Sequence, residues 1–460
     1  MPRMRNLALL TAALLALSAC GTPDAPPQRR ATGEMAPLPP MKVFAGPQVT
    51  RPARPNPEIA RDFLDLTFML ESGRALPVMT RFEGPIALRV LGPAPASLEG
   101  DLARLLARFR TEAGIDIART PAADRANITV EVVPRATLQR AVPEAACFVV
   151  PRVTSWGDFM ANRRSGALDW STLRTRDTVA VFIPGDVPPQ EVRDCLHEEL
   201  AQALGPLNDL YRLTDSVFND DNFHTVLTGF DMLILRATYA PELRSGMSRS
   251  DVAARLPAIL ARLNPAGAGR GAAPRPPTSR AWIDEIERAL GPRGRPAARK
   301  RAARRAVAIA RAGGWNDNRL AFSLFALARL SLDGNDDVAL AAFLEAASIY
   351  ARDPATSVHG AHIAVQLAAF ALSSGQPQSA LAIVDANTPA VVAAENASLL
   401  STLLMIKATA LRDLGRRTES DRLRADALGW ARYGYGDPRE VLRRADEIAA
   451  IAPIPAEPAS

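Results

Sequence analysis

The stretch Asp194-Cys195-Leu196-His197-Glu198-Glu199-Leu200-Ala201-Gln202-Ala203-Leu204-Gly205-Pro206-Leu207-Asn208-Asp209 carries more chemistry than any other part of the chain. Pro188-Pro189 ahead of it and Gly205 within it bracket a helix over 188–204, because proline suits a first helical turn and glycine a helix end. Cys195, Glu198, Glu199 and Gln202 then recur at i, i+3, i+4 and i+7 and share one stripe. Two adjacent carboxylates, an amide and a thiol on one face are unusual for a surface that packs into a core. This stripe is therefore the candidate site. His197 points about 100° away from Glu198 around the helix, and Asn208-Asp209 follow at a turn.

Upstream, helical and extended patterns alternate. Ile59, Phe63, Leu66 and Leu70 recur at helical spacing until Ser72-Gly73, Ile86 to Leu91 predicts a strand, and Leu98 to Ala113 predicts an amphipathic helix. Ile128 to Val133 alternates as a half-buried strand, and Thr178 to Ile183 predicts a strand entering the Glu199 helix. Strands interleaved with helices indicate an α+β domain over 58–264. Pro- and Gly-rich residues 265–279 form a linker without regular structure. Beyond it, 280–453 reads as alanine-rich and all-α. Turn glycines Gly334, Gly375 and Gly415 recur at spacings of 41 and 40 residues, each between apolar helices. That period is similar to tetratricopeptide repeats, though longer, and implies stacked helical hairpins; a non-repetitive bundle is the alternative.

Composition narrows the function classes. At 460 residues the chain has room for two or three domains, each with its own core, and 48% hydrophobic against 23% charged residues excludes wholesale disorder. Lys42, Lys300 and Lys407 are the only lysines and none follows a glycine, which excludes a Walker phosphate loop. Four histidines (His197, His224, His359, His362) and three cysteines cannot assemble a Cys/His zinc finger.

Arg3 and Arg5 followed by the apolar run Leu7 to Leu17 read as an export signal over 1–19, since such a run is too short to span a bilayer. Leu17-Ser18-Ala19-Cys20 resembles the lipobox of bacterial lipoproteins, which implies cleavage before Cys20 and acylation of its thiol. The expected location is the bacterial cell envelope, as a periplasm-facing lipoprotein held to the membrane through Cys20. No later apolar run is expected to cross the membrane. Ten prolines between Pro23 and Pro57 make 20–57 an extended tether. The basic run Arg293 to Arg311 reads as a solvated helix face that anionic headgroups would attract. Nucleic acid is not an expected partner, because export removes the chain from it and no aromatic platform interleaves the charges.

The Glu199 helix resembles the zincin metallopeptidase pattern H-E-x-x-H-x-x-G-x-x-H/N-D. The resemblance places Glu199 as general base, Glu198 and Gln202 on the two histidine positions, Gly205 on the helix-ending glycine and Asn208 on the third ligand, with Asp209 beside it. Phe63 to about Leu263 also resembles domain of unknown function family 2927. Its matching stretches are Glu71-Ser72-Gly73, Arg81-Phe82-Glu83-Gly84-Pro85-Ile86, Cys195 to Asp209, Asp215 to Asp221 and Phe230-Asp231-Met232-Leu233.

Both zinc-ligand histidines are missing, so zinc is doubtful; a Glu/Gln/Asn set would hold a hard divalent metal weakly and leave bound water near its ordinary pKa. Export permits a Cys147–Cys195 disulfide, with two buried thiols as the alternative. Asp209, Asp215, Asp220 and Asp221 gather calcium-type oxygens, but without EF-hand spacing they fit turn and cap roles. His224 is close enough in sequence to reach the same cleft. The sequence favours a non-catalytic scaffold that binds an envelope protein or peptidoglycan through its zincin-like and helical-repeat regions. The alternative is an unconventional metallohydrolase with Glu199 as base.

Overall fold

The computed structural model describes residues 37–46, 49–52, 54–271, 277–332, 334 and 336–451. The export signal, Cys20 and much of the tether lie outside the described residues. From Pro39 onward the chain folds as one unit.

Its first part runs α1 (Asn56–Thr67), β1 (Ile86–Leu91), α2 (Ala96–Thr111), β2 (Ile117–Arg119), β3 (Ile128–Val133), α3 (Arg135–Ala141), β4 (Phe148–Pro151), α4 (Trp156–Asn162), β5 (Val179–Pro184), α5 (Pro189–Leu204), α6 (Gly229–Thr238) and α7 (Arg249–Leu263). The sheet order is β2-β1-β3-β5-β4. Four strands are parallel, with Leu88 opposite Ile128 and Val130 opposite Val181, while β4 closes one edge antiparallel, Phe148 opposite Phe182. Every residue of β5 is buried, as expected for a strand covered on both faces. One face packs on α1, α2, α5, α6 and α7 through Ile59, Leu102, Leu196, Ile234 and Leu256. The other carries Leu138, Phe159 and Phe182, with Phe148 and Trp156 stacked around them at ring separations of 5.2–6.3 Å.

The second part is helical: α8 (Arg280–Leu290), α9 (Pro296–Ala312), α10 (Asn318–Arg329), α11 (Asp336–Tyr350), α12 (Ser357–Ser373), α13 (Pro377–Ala393), α14 (Ala397–Asp413), α15 (Arg417–Tyr435) and α16 (Pro438–Ala449). Gly334, Gly375 and Gly415 turn the α10/α11, α12/α13 and α14/α15 hairpins, with φ of 77°, 69° and 76°, a conformation that favours glycine. The run Pro354–Ser373 has the length and hydropathy of a membrane span, contrary to the sequence expectation. It packs against α11, α13 and α14.

Three other expectations change. The tether is not free along its length: the Lys42 N–H donates to Gly429 O at 3.0 Å, Phe44 lies 4.5 Å from the Trp430 ring, and Lys42 pairs with Asp426. Burying the Phe44 and Trp430 faces against each other offsets the ordering of this Pro-rich strap. The linker holds structure at its start, where Pro265–Gly267 makes a 3₁₀ turn and a Cβ on Gly267 would meet Asn56 Oδ1 at 2.3 Å. The two parts do not keep separate cores, because Tyr211 and Phe223 of the first are buried among Trp282, Phe322, Phe325 and Tyr350 of the second. In the basic run, Arg305 pairs with Glu285 and Arg311 with Glu345 at 2.8 Å, and Arg299 donates to the Ala289 carbonyl at the end of α8.

Candidate functional site

The helix α5 begins at Pro189 and ends at Leu204, capped by Gly205. Its last turn contains no basic residue, so the terminal carbonyls must find donors elsewhere. Arg176 supplies them. This guanidinium is buried beneath the helix end and donates to Gln202 O at 2.6 Å, Ala203 O at 2.7 Å and Gly205 O, while Nε reaches Thr80 Oγ1 at 3.1 Å. A charged donor at this end also complements the helix dipole.

The loop after α5 is pinned to α1. Arg212 donates to Asp62 at 2.7 Å, the Leu207 N–H donates to Leu66 O at 3.1 Å, and the Asn208 amide donates to Asp65 O at 3.0 Å. Asp62, with 1% of its surface exposed, also takes Arg54 at 2.7 Å. These contacts set the direction of Asn208 and Asp209. Asn208, on the third-ligand position of the metallopeptidase pattern, turns away into an adjoining groove. Asp209 faces both that groove and the α5 cleft.

The cleft itself has a volume of about 630 Å³ and lies between α5 and the edge strand β4. Glu71, Glu198, Glu199, Asp209 and Asp220 line it with Gln202, Cys147, Phe148 and Trp170. None of the described lining residues is basic. Glu199 is 4% exposed and its Oε2 has no hydrogen-bond partner; Asp209 Oδ1 is equally unpartnered. Cys147 and Cys195 are joined in a disulfide that ties β4 to α5, so the two walls of the cleft are covalently linked. Ligand atoms of Cys147, Glu198 and Glu199 lie within 4.8 Å of one another.

Crowding like charges in a partly dry cleft favours their protonated forms. Burial first, then Asp220, Glu71 and Asp194, pushes Glu198 up to about 8. Glu199 is held well above the usual carboxylate range by burial, then by Glu198 and Glu71. Asp209 is raised likewise by burial, then by Asp220, Glu71 and Glu198. Asp220 sits exposed at the mouth, where water tempers the same effect.

A raised carboxyl contributes its full stability only below its unfolded value near 4.5, and that contribution is lost as pH rises through about 8 for Glu198. The cleft carboxyls of metal-free protein are therefore expected to contribute on the order of 1–3 kcal/mol less at pH 8.5 than at pH 5, while buried His197, His224 and His362, whose pKa is lowered by burial, act in the opposite direction. The difference in stability between wild-type and a Glu198→Gln/Glu199→Gln variant should shift by that amount against wild-type as pH rises, measured by urea titrations at the two pH values. An unchanged difference would show that these groups do not carry the pH dependence.

The histidines are elsewhere. His197 lies on the far side of α5 and accepts the Leu227 N–H at Nδ1, 3.2 Å away. His224 meets Thr214 O at 3.1 Å, His359 meets Asp221 Oδ2 at 3.1 Å, and His362 stacks near Phe223. His224 thus does not reach the cleft. The four aspartates also separate: Asp215 pairs with Arg54 and Asp221 with His359, leaving only Asp209 and Asp220 at the cleft. Asp231 is structural, capping α6 through Thr228 and accepting from Ser216 and the Val217 N–H.

Residues 56–258 match the family model described as protein of unknown function, DUF2927. No curated protein and no solved structure shows a match to the chain. Within residues 56–258, sequence reasoning missed Arg176 beneath the helix end and the place of Glu71 at the cleft rim. Arg176 stands alone between strands, and only the lack of a base in the last turn of α5 hints at it. Glu71 reads in sequence only as part of a motif, and its place at the rim depends on the turn at Gly73.

Proposed function

We propose that the chain is a lipid-anchored cell-envelope protein that binds rather than cleaves. In this reading, a zincin-like domain has lost its zinc chemistry and keeps an acidic cleft for a cationic ligand. The tetratricopeptide-like hairpins present the surface for an envelope protein or peptidoglycan. The observation that carries it is the donor set of the cleft: carboxylates and an amide, with no histidine and with the nearest sulfur closed in a disulfide. Zinc prefers nitrogen and thiolate ligands, and hydrolytic zinc depends on them to acidify its water.

A second reading keeps Glu199 as the general base of an unconventional metallohydrolase. The unpartnered Oε2 and the raised proton affinity of Glu199 favour it, since a carboxylate of raised proton affinity is a stronger base. The two separate on one variant. Wild-type and Glu199→Gln chains are compared for cleavage of a mixed peptide library and for cross-linking to envelope proteins in cells. Binding alone gives no cleavage from either and the same cross-links to partners held on the helical hairpins from both. Cleavage that disappears in Glu199→Gln would establish the hydrolase. For the anchor, Cys20→Ala should move the chain from the membrane to the soluble fraction and abolish labelling by an alkyne fatty acid.

A further inference from the structure

The acidic cleft has the geometry of an ion site. Glu198 and Glu199 offer oxygens close enough to flank a single cation, because Ca–O distances of about 2.3–2.6 Å put opposed ligands roughly 5 Å apart. The third atom of that group, Cys147 Sγ, is bonded to Cys195 and offers no thiolate, which removes the soft ligand and leaves oxygen alone. Gln202 and Asp209 line the same cleft outside that close group, and the Asp209 carboxyl shares a hydrogen bond with Glu71. The buried Glu199 Oε2 and Asp209 Oδ1 lack partners. A buried carboxylate oxygen with neither donor nor counter-charge is costly unless a proton or a cation neutralises it, and a cation does so at higher pH.

We propose that Glu198 and Glu199 bind a hard divalent cation of the calcium class in the cleft between α5 and β4, with Asp209 and Gln202 drawn in from the cleft wall to complete its shell. This rests on the cation-binding reading above and names its ligand. Calcium fits better than magnesium because the donors come from one helix and an irregular loop, an asymmetric set that a flexible coordination shell accepts and a strict octahedron does not. Zinc is disfavoured by the absence of nitrogen and free sulfur. A cation held here would link the helix to the Asp209 loop and bring the carboxylates together without mutual repulsion.

The test uses the full chain in detergent, stripped with chelator, and titrates CaCl2, MnCl2, MgCl2 and a short lysine peptide while melting temperature and heat of binding are recorded. One calcium per chain should bind, with a dissociation constant on the order of 10⁻⁵–10⁻³ M. Glu199→Gln and Asp209→Asn should each weaken binding at least tenfold, and both near-isosteric changes should leave the chelator-treated fold intact. If either variant fails to fold, the wild-type stoichiometry and the order calcium over magnesium still decide the question. No saturable binding of any divalent ion overturns the proposal. Equal binding by wild-type and both variants also overturns it, by moving the ion elsewhere. If the lysine peptide binds with Glu199 dependence and the ions do not, the ion proposal fails while the cation-binding cleft stands.

Discussion

Replacing Arg176 by alanine is expected to destabilise the chain by about 3–5 kcal/mol, among the largest effects of any single substitution. Arg176 is 3% exposed and donates to three terminal carbonyls of α5 and to Thr80. Burial lowers its pKa to about 10, so the guanidinium stays charged through the neutral range. Alanine would leave those carbonyls buried without donors and remove the guanidinium from its stacking distance of 5.0 Å over Trp170. Lysine should recover only part of the loss, because one ammonium cannot reproduce a planar fork of donors. Gln202 is both an acceptor of Arg176 through its carbonyl and a wall of the cleft through its side chain, so the alanine variant should also weaken ligand binding there. Urea unfolding of wild-type, Arg176→Lys and Arg176→Ala should rank in that order. An alanine variant within about 1 kcal/mol of wild-type would contradict the clamp.

Removing the Cys147–Cys195 bond is the second large effect. It closes a segment of 48 residues, which the loop-entropy model values at roughly 4 kcal/mol. The Cys147→Ser/Cys195→Ser chain should therefore melt several degrees lower, and reductant should bring wild-type down to the same value. Its local consequence is sharper. Once β4 is no longer stapled to α5, one wall of the cleft is held by its antiparallel pairing with β5 and by the aromatic packing of Phe148, with no covalent tie. Backbone amides of 145–151 should then exchange faster than those of β3. A melting temperature indifferent to reductant would show that the staple contributes nothing.

These features explain what the sequence made legible. The α5 stripe, the β1 and β3 strands and the hairpin glycines all follow from local periodicity and turn chemistry, and they appear where expected. The strand β4 is not legible in sequence because four residues with a terminal proline carry too little pattern, and its identity comes from pairing with β5. The cleft was only half visible. Glu198, Glu199 and Gln202 follow from helical spacing, whereas Glu71 comes from a turn far upstream and Asp220 from a loop. Asn208 and Asp209 are adjacent, and spacing alone favoured Asn208; the bonds to Leu66 and Asp65 decided for Asp209. The shared core around Tyr211 and Phe223 was hidden because an aromatic residue in a polar loop does not reveal which partner covers it.

The most direct test of the central claim, that this cleft binds without zinc catalysis, is zinc content measured together with peptide cleavage. The full chain would be purified in detergent without chelator, quantified by elemental mass spectrometry and assayed on a fluorogenic peptide library. The expected result is far less than one zinc per chain and no cleavage above a Glu199→Gln control. One zinc per chain, with cleavage that Glu199→Gln abolishes, would contradict it.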